Sequence, residues 1–475
     1  MSQLDVTAPS SAAASSSADA AALVAQLRKT YSAGRTRSLQ WREEQLDGLL
    51  RLLSEREDEL VAALVADLGR APFEAWAADL RATAREVEDQ RRHLVSWMAP
   101  EKRRVPMLFL PGRAEVVNEP LGVVLVIAPW NYPVQLLLTP VAAALAAGNA
   151  VVAKPSEVAP ATSAAIARLL PLYLDPDAVV VVEGGVVETT ALLEQRWDHI
   201  FYTGNGTVGR IVATAAAAHL TPVTLELGGK SPVIVARDAN VRLAASRVAF
   251  SKFLNAGQTC VASDHVWVHR DVEQEFLDAL AAEVAKRYGR DPRTSKDFGR
   301  IVNVGHARRI SRLLDGKGYE VALGGQVDVD ARYVAPTVLR GVSREAAVMG
   351  EEIFGPVLPV LVFDDLSEVT DAINAGDKPL ALYVFTASEE TVARVVADTS
   401  SGGVCVNDAL THLLVSSLPF GGVGESGYGS YHGRAGFDTF SHRKAIYRRP
   451  SWFIDPPLLN APYPRWKQVL ARWFF

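Results

Sequence analysis

A chain of 475 residues exceeds what one hydrophobic core supports, so two or three domains are expected. Its 49% hydrophobic and 22% charged content is that of an ordinary globular protein, and a net charge of -5 makes no electrostatic case for nucleic acid. Only two cysteines, Cys260 and Cys405, occur, which excludes a disulfide framework and zinc-ligand spacing and points to a reducing, cytoplasmic setting.

Residues 1–21 are Ala/Ser-rich and lack a basic leader region, so they read as a disordered tail rather than a signal peptide. From 20 to 99 the pattern is helical. Leu46, Leu49, Leu50 and Leu53 recur at helical spacing, and a second long helix spans Phe73 to Trp97 before Pro100. Residues 103–119 are broken by Pro106, Pro111 and Gly112 and read as an extended excursion. At Leu121 the pattern changes. Continuous apolar runs at 121–128, 150–154, 178–182 and 199–203 alternate with helical segments at 134–147, 162–172 and 189–195. Such runs are strands buried on both faces of a parallel sheet. The alternation predicts an α/β fold with a Rossmann-like doubly wound domain over 22–102 and 120–224, binding at the carboxyl ends of its strands. A second α/β pattern fills 225–430, with strands at 231–235, 265–269, 357–362 and 380–385 and helices at 243–255, 272–288 and 304–315. The glycines of 418–433 require a loop packed at close quarters. Residues 451–475 form a C-terminal tail. In it Trp466, Val469, Leu470, Trp473 and Phe474 fall at helical spacing, as in a helix docked on the body or on a partner subunit; a peripheral membrane contact is the sharper alternative.

Several residue sets carry chemistry. Cys260 ends the run Asn255-Ala256-Gly257-Gln258-Thr259-Cys260, a polar approach that suits an exposed nucleophile better than a packing thiol. Glu226 follows an apolar strand. A thiol and a carboxylate on two strand ends suffice for covalent acyl chemistry. Gly204, Gly206 and Gly209 satisfy G-x-G-x-x-G where a strand meets a helix, which suits a pyrophosphate and equally a plain glycine turn. Lys154 and Glu157, three apart at a strand end, could hold ribose hydroxyls or form a solvated turn. Asn131, between Pro129 and Pro133, offers a rigid amide donor for an oxyanion, or an Asx-type turn bond. Gly228-Gly229-Lys230-Ser231 mimics the end of a P-loop, but Thr224 stands where the required glycine belongs. No metal motif is present. Lys252, eight residues before Cys260, either tunes the site or faces solvent, and Cys405 reads as a core cysteine.

These motifs resemble the NAD(P)-dependent aldehyde dehydrogenase superfamily: Glu226 in LELGGKSP, Cys260 in NAGQTC, Asn131 in PWNYP, KPSE at 154–157, EIFGP at 352–356 and LPFGG at 418–422. Finer features, including FGRIVN at 298–303 and FDTFSH at 437–442, are similar to its class 3 branch. The resemblance covers roughly 22–450; Asn205-Gly206 departs from the usual Ser-Thr. It implies a catalytic set of Cys260 as nucleophile, Glu226 as general base and Asn131 with the Cys260 N–H as oxyanion hole. It implies NAD or NADP held by Lys154, Glu157, Gly204, Gly209, Glu352 and Phe354. Tyr132, Trp130, Asn407, His412 and Phe420 are expected at the aldehyde, with His432 as a weaker candidate. Segments 103–119 and 431–450 would join two subunits into a homodimer. The implied reaction oxidises an aldehyde to the acid through a thiohemiacetal and a thioester. An acyl-CoA reductase shares the fold but normally lacks the carboxylate at Glu226, and a purely structural protein would need none of the set.

Overall fold

The computed structural model describes residues 11–453 and 460–474. Val123–Ile127, Ala150–Lys154, Val179–Val181, His199–Thr203 and Val223–Glu226 form one parallel sheet. The strands lie in the order 223–226, 199–203, 123–127, 150–154, 179–181, so the winding reverses between 123–127 and 199–203. The crevice beyond the carboxyl ends at such a reversal is where open α/β sheets bind ligands. Gly427–Tyr428 adds an antiparallel edge next to Glu226. Every residue of the strands 123–127, 150–154 and 199–203 is buried, as continuous apolar runs require when helices cover both faces.

A second, seven-stranded sheet is built from Pro232–Val235, His265–His269, Glu320–Leu323, Thr337–Arg340, Val357–Phe363, Ala381–Phe385 and Gly403–Val406. All its pairings are parallel except the edge strand Glu320–Leu323. The strands expected at 231–235, 265–269, 357–362 and 380–385 are its centre. A third sheet joins Glu101–Arg103, Arg113–Pro120 and Ser441–Arg448, all antiparallel, and leaves Ser441–Arg448 as a largely exposed edge.

Three expectations change. The helix Ser11–Ser32 begins inside the stretch read as a tail, and its Ala20, Val24 and Leu27 pack beneath Val123, Leu125 and Val152. Alanine-rich sequence is a strong helix former, and it orders here because a core lies next to it; residues 1–10 lie outside the described residues. The helix expected at 73–97 contains a π-helical segment, Trp76–Arg81, between Pro72–Ala75 and Ala82–Met98. It carries Asp79, whose buried carboxylate pairs with Arg70 and accepts the N–H groups of Val134 and Gln135 at 3.1 and 2.9 Å, capping the helix Gln135–Ala147. At the C-terminus, helix Arg465–Phe474 forms as the spacing predicts, but Trp466, Val469 and Leu470 are exposed, so this chain's own body does not cover them. The glycine loop behaves as read: a Cβ on Gly422 or Gly427 would lie 2.0 or 1.9 Å from backbone atoms.

Candidate active site

Cys260 follows a 3₁₀ turn, Leu254–Gly257, whose Asn255 and Ala256 both sit at φ 50°. Left-handed backbone at two non-glycine residues costs energy and persists only where surroundings hold it. They do so with amides. Asn255 Nδ2 donates to the carbonyls of Asn131 and Gln258 at 2.9 and 3.2 Å, and Gln258 Nε2 donates to those of Asn255 and Arg300. Gln258 Oε1 accepts the Val302 N–H at 2.8 Å. Gly257 is confined further, since a Cβ there would lie 2.3 Å from the Gly355 carbonyl oxygen. The polar run before Cys260 is thus a locked turn that aims the thiol.

Asn131 lies in the same lock. It is buried, and its Nδ2 donates to the Gln258 carbonyl at 3.0 Å. One amide hydrogen is thereby fixed beside the Cys260 segment and the other is left for a ligand. Neighbouring Tyr132 bonds its hydroxyl to Thr259 Oγ1 at 2.7 Å.

Glu226 ends its strand between Thr203 and Gly427. It is buried, and neither carboxyl oxygen has a hydrogen-bond partner among the described residues. Burial alone pushes its pKa well above the usual carboxylate range. Cys260, Glu226 and Thr203, whose hydroxyl is also without a partner, line one cavity of about 570 Å³. Burial, and then the charges of Glu352 and Glu226, push the Cys260 thiol up to about 12, against the smaller opposing pull of the N–H groups of Cys260 and Val261. The sulfur is therefore held as a thiol and must hand a proton to a neighbour to react.

The pKa of Glu352 shifts in the same direction, against more opposition. The Gly229 N–H and the Lys230 charge draw its pKa down, yet burial and the nearby Asp264 win and raise it to about 8. The approach depends on glycine: a Cβ on Gly228 would lie 2.0 Å from Glu352 Oε2. Lys230, which as a P-loop lysine had no role, staples this loop down. Its Nζ binds Asp264 Oδ2 at 2.5 Å and the carbonyls of Val348 and Glu351, while Asp264 Oδ1 accepts the Ile353 N–H at 2.9 Å. Phe354, at φ 45°, packs edge-on against Trp130, which also meets His306, outside the cavity. Lys252 is buried rather than solvent-facing, with its pKa lowered to about 8, mainly by burial, beside Asp264 and Glu352.

At the strand end 150–154, the buried Lys154 ammonium donates to the carbonyls of Pro155 and Gly184 at 2.8 and 2.5 Å, with exposed Glu157 3.9 Å away. Across the reversal, helix Gly206–Ala217 starts with Asn205 capping Val208 N–H, and a Cβ on Gly204 would lie 2.1 Å from Tyr202 Oη. Gly209 is buried in that helix, where a Cβ would come 2.9 Å from Leu227. A buried ammonium, a helix start and glycines without room for a side chain fit an anionic dinucleotide.

Of the residues expected at the substrate, Tyr132 and Phe420 line the cavity, as do His432 and Tyr431. His432 sits at φ 74° and its Nδ1 lies 3.4 Å from buried Glu86. His412 does not line the cavity; it backs Phe420 with ring centroids 6.2 Å apart, and burial lowers its pKa to about 4. Asn407 is not at the cavity. It is exposed, and both ends of its amide bind the Thr386 backbone, tying two strand ends together. Cys405 is buried in its strand as expected. Sequence reading missed Gln258, Asp264, Lys230 and Glu74; for Gln258 and Asp264 the only signal is a polar side chain beside the nucleophile.

A doubly wound sheet and a second α/β sheet meeting around a thiol and a buried carboxyl, with a crevice suited to an anion, are compatible with a dinucleotide-dependent dehydrogenase. The comparisons narrow this. Residues 4–446 match the aldehyde dehydrogenase family model. The chain is 47% identical over 459 residues to aldehyde dehydrogenase family 3 member H1 of Arabidopsis thaliana, covering 96% of this chain and 95% of that protein. It is 43% identical to the dimeric NADP-preferring aldehyde dehydrogenase of Canis lupus familiaris, covering 93% and 97%. A substrate-bound Staphylococcus aureus AldH structure superposes with TM-score 0.92 at 39% identity, covering 95% of this chain and 99% of that one. The chain belongs to the aldehyde dehydrogenase family, whose members oxidise aldehydes to acids with NAD or NADP.

Proposed function

We infer that this protein oxidises an aldehyde to its carboxylic acid at Cys260. The observation that carries the reading is that the cysteine and an unpartnered carboxyl, Glu226, open on one cavity. Cys260 gives its proton to a neighbouring carboxylate, which releases it to solvent before hydrolysis, and the thiolate sulfur bonds to the aldehyde carbon. The carbonyl oxygen takes up the electron pair and is met by the free amide hydrogen of Asn131 and the Cys260 N–H. Lys154, Glu157, Gly204, Gly209, Glu352 and Phe354 would hold NAD or NADP, which supplies the two-electron acceptor that turns the adduct at Cys260 into a thioester. Glu226 as carboxylate then takes a proton from water, whose oxygen displaces the sulfur as thiolate and frees the acid.

Reduced-cofactor absorbance with a panel of aliphatic and aromatic aldehydes tests the reading: turnover is expected, and Cys260→Ser should abolish it. No turnover by the wild-type chain across the panel defeats it.

The same reading includes a homodimer, supported by the exposed edge strand Ser441–Arg448. It also has the exposed face of helix Arg465–Phe474 docked on the partner subunit rather than on a membrane. Among the described residues no helix is long and apolar enough to cross a membrane. Liposome flotation with and without residues 464–475 separates the alternatives: vesicle binding that needs the segment would reassign it to a lipid surface.

A further inference from the structure

The reaction proposed above leaves one group of the substrate cavity without a task. Glu74, in the short helix Pro72–Ala75, lines a cavity whose other walls are mostly apolar or aromatic: Phe73, Leu136, Phe250, Leu413, Phe420 and Tyr431. Phe73, Phe250 and Leu414 are exposed and mark the solvent rim, whereas Glu226 and Tyr132 are buried and mark the floor. Half-buried Glu74 stands between. One of its oxygens accepts the Asn255 N–H at 2.9 Å, and the other has no hydrogen bond with the described residues.

The cations nearby are already engaged. Arg70 is paired with Asp79 in a fully buried bridge, with its guanidinium 5.1 Å from the Tyr132 ring centroid. Arg287 is held by Glu283 at 3.1 Å. Asp297 lines the same cavity and adds a further negative charge, and Tyr132 and Tyr288 are neutral phenols whose pKa values burial raises. With Glu74 ionised, these six charged groups sum to two negative charges.

The geometry points to Glu74 as a specificity-determining residue that rejects aldehydes bearing a second, anionic end, such as ω-oxo carboxylates, and admits those with apolar or neutral tails. An anionic tail reaching along this cavity meets a like charge in a medium drier than water, and the two arginines beside it, although Arg70 Nε and Nη1 and Arg287 Nε have no hydrogen-bond partner among the described residues, are each already neutralised by a paired carboxylate. Protonation should relax the filter. Burial raises the Glu74 pKa to about 7, opposed by Arg70 and the Asn255 N–H and assisted by Asp79 and Asp297. The carboxylate therefore dominates above that pH and the neutral acid below it, while the substrate's own carboxylate stays ionised throughout.

This inference rests on the aldehyde-oxidising reading, and the test keeps the two apart. It compares kcat/KM for hexanal with that for 6-oxohexanoate, from pH 6 to 8.5, in wild type and Glu74→Gln. Glutamine keeps an acceptor oxygen for Asn255, so the catalytic turn retains its support. The preference for hexanal should rise with pH through about 7 in the wild type. Glu74→Gln should lower it about tenfold at pH 8.5 and flatten the rise. A purely structural role would move both substrates together and leave the ratio unchanged. An unchanged ratio in the variant, or a flat wild-type profile, overturns the inference. Failure of the wild type to oxidise hexanal would instead defeat the underlying reading.

Discussion

A buried carboxyl, Glu226, and a half-buried one, Glu352, approach Cys260 from different regions, and they are kept in opposite ways. Glu226, at the end of its strand in the doubly wound sheet, has no hydrogen-bond partner at either oxygen among the described residues. Glu352, on the loop before the strand Val357–Phe363, lies near enough to the Gly229 N–H for that group to pull its pKa down, and sits over a residue whose missing Cβ makes room for it. That loop is tied down by Lys230 and Asp264. A carboxyl with no fixed donor can exchange protons with water and substrate, because no bond inside the protein has to break. One aimed by backbone and glycine is built to hold a fixed shape, such as a pair of ribose hydroxyls. On the proposed reading, the contrast suits the first to proton transfer and the second to placement.

The largest effect should separate the two directly. Glu226→Gln should slow kcat about 10²–10⁴-fold and leave a thioester after a burst. Glu352→Gln should chiefly weaken the dinucleotide KM. An E226Q enzyme with unchanged steady-state turnover would reverse the assignment. Next in size is Gly228→Ala: its Cβ would stand 2.0 Å from Glu352 Oε2 and push that side chain away. The dinucleotide KM should rise about tenfold, as expected for loss of one good hydrogen bond. A rise in aldehyde KM alone would mean Glu352 serves the substrate.

The smallest effect concerns stability. Burial raises the folded-state pKa of Glu226 and takes that of Glu352 to about 8. A raised carboxyl contributes stability that is fully present below the unfolded value, about 4.3, and is lost as pH rises through the folded value. Glutamine carries no such penalty. Both variants should therefore gain thermal stability relative to wild type between pH 6 and 9, by a few degrees, and lose that advantage near pH 4. Glu226, with no compensating bond, should show the larger gain; equal gains would mean the two environments differ less than their geometry says.

Much of this architecture was legible. Apolar runs such as 121–128 and 150–154 mark buried parallel strands because nothing else tolerates so little polarity over so few residues. Cys260, Glu226 and Asn131 stood out because each is a reactive or hydrogen-bonding side chain at a strand end or in a turn-rich run. Asn407 was misjudged because an amide beside a strand end looks the same whether it meets a ligand or, as here, a neighbouring backbone. Lys252 was undecidable because helical spacing does not reveal which face a second domain covers.

The sequence by itself determined the order of strands and helices, the chemistry available and the family kinship, because these depend on residue type and local spacing. Tertiary structure alone decided which polar groups are left unpartnered. That Glu226 lacks a donor, that Lys230 closes on Asp264 and that Glu74 enters the substrate cavity depend on contacts between segments 34 to 181 residues apart. Desolvation, the largest cause of the shifts at Glu226, Lys252, Cys260 and Glu352, is a property of the surroundings rather than of the residue.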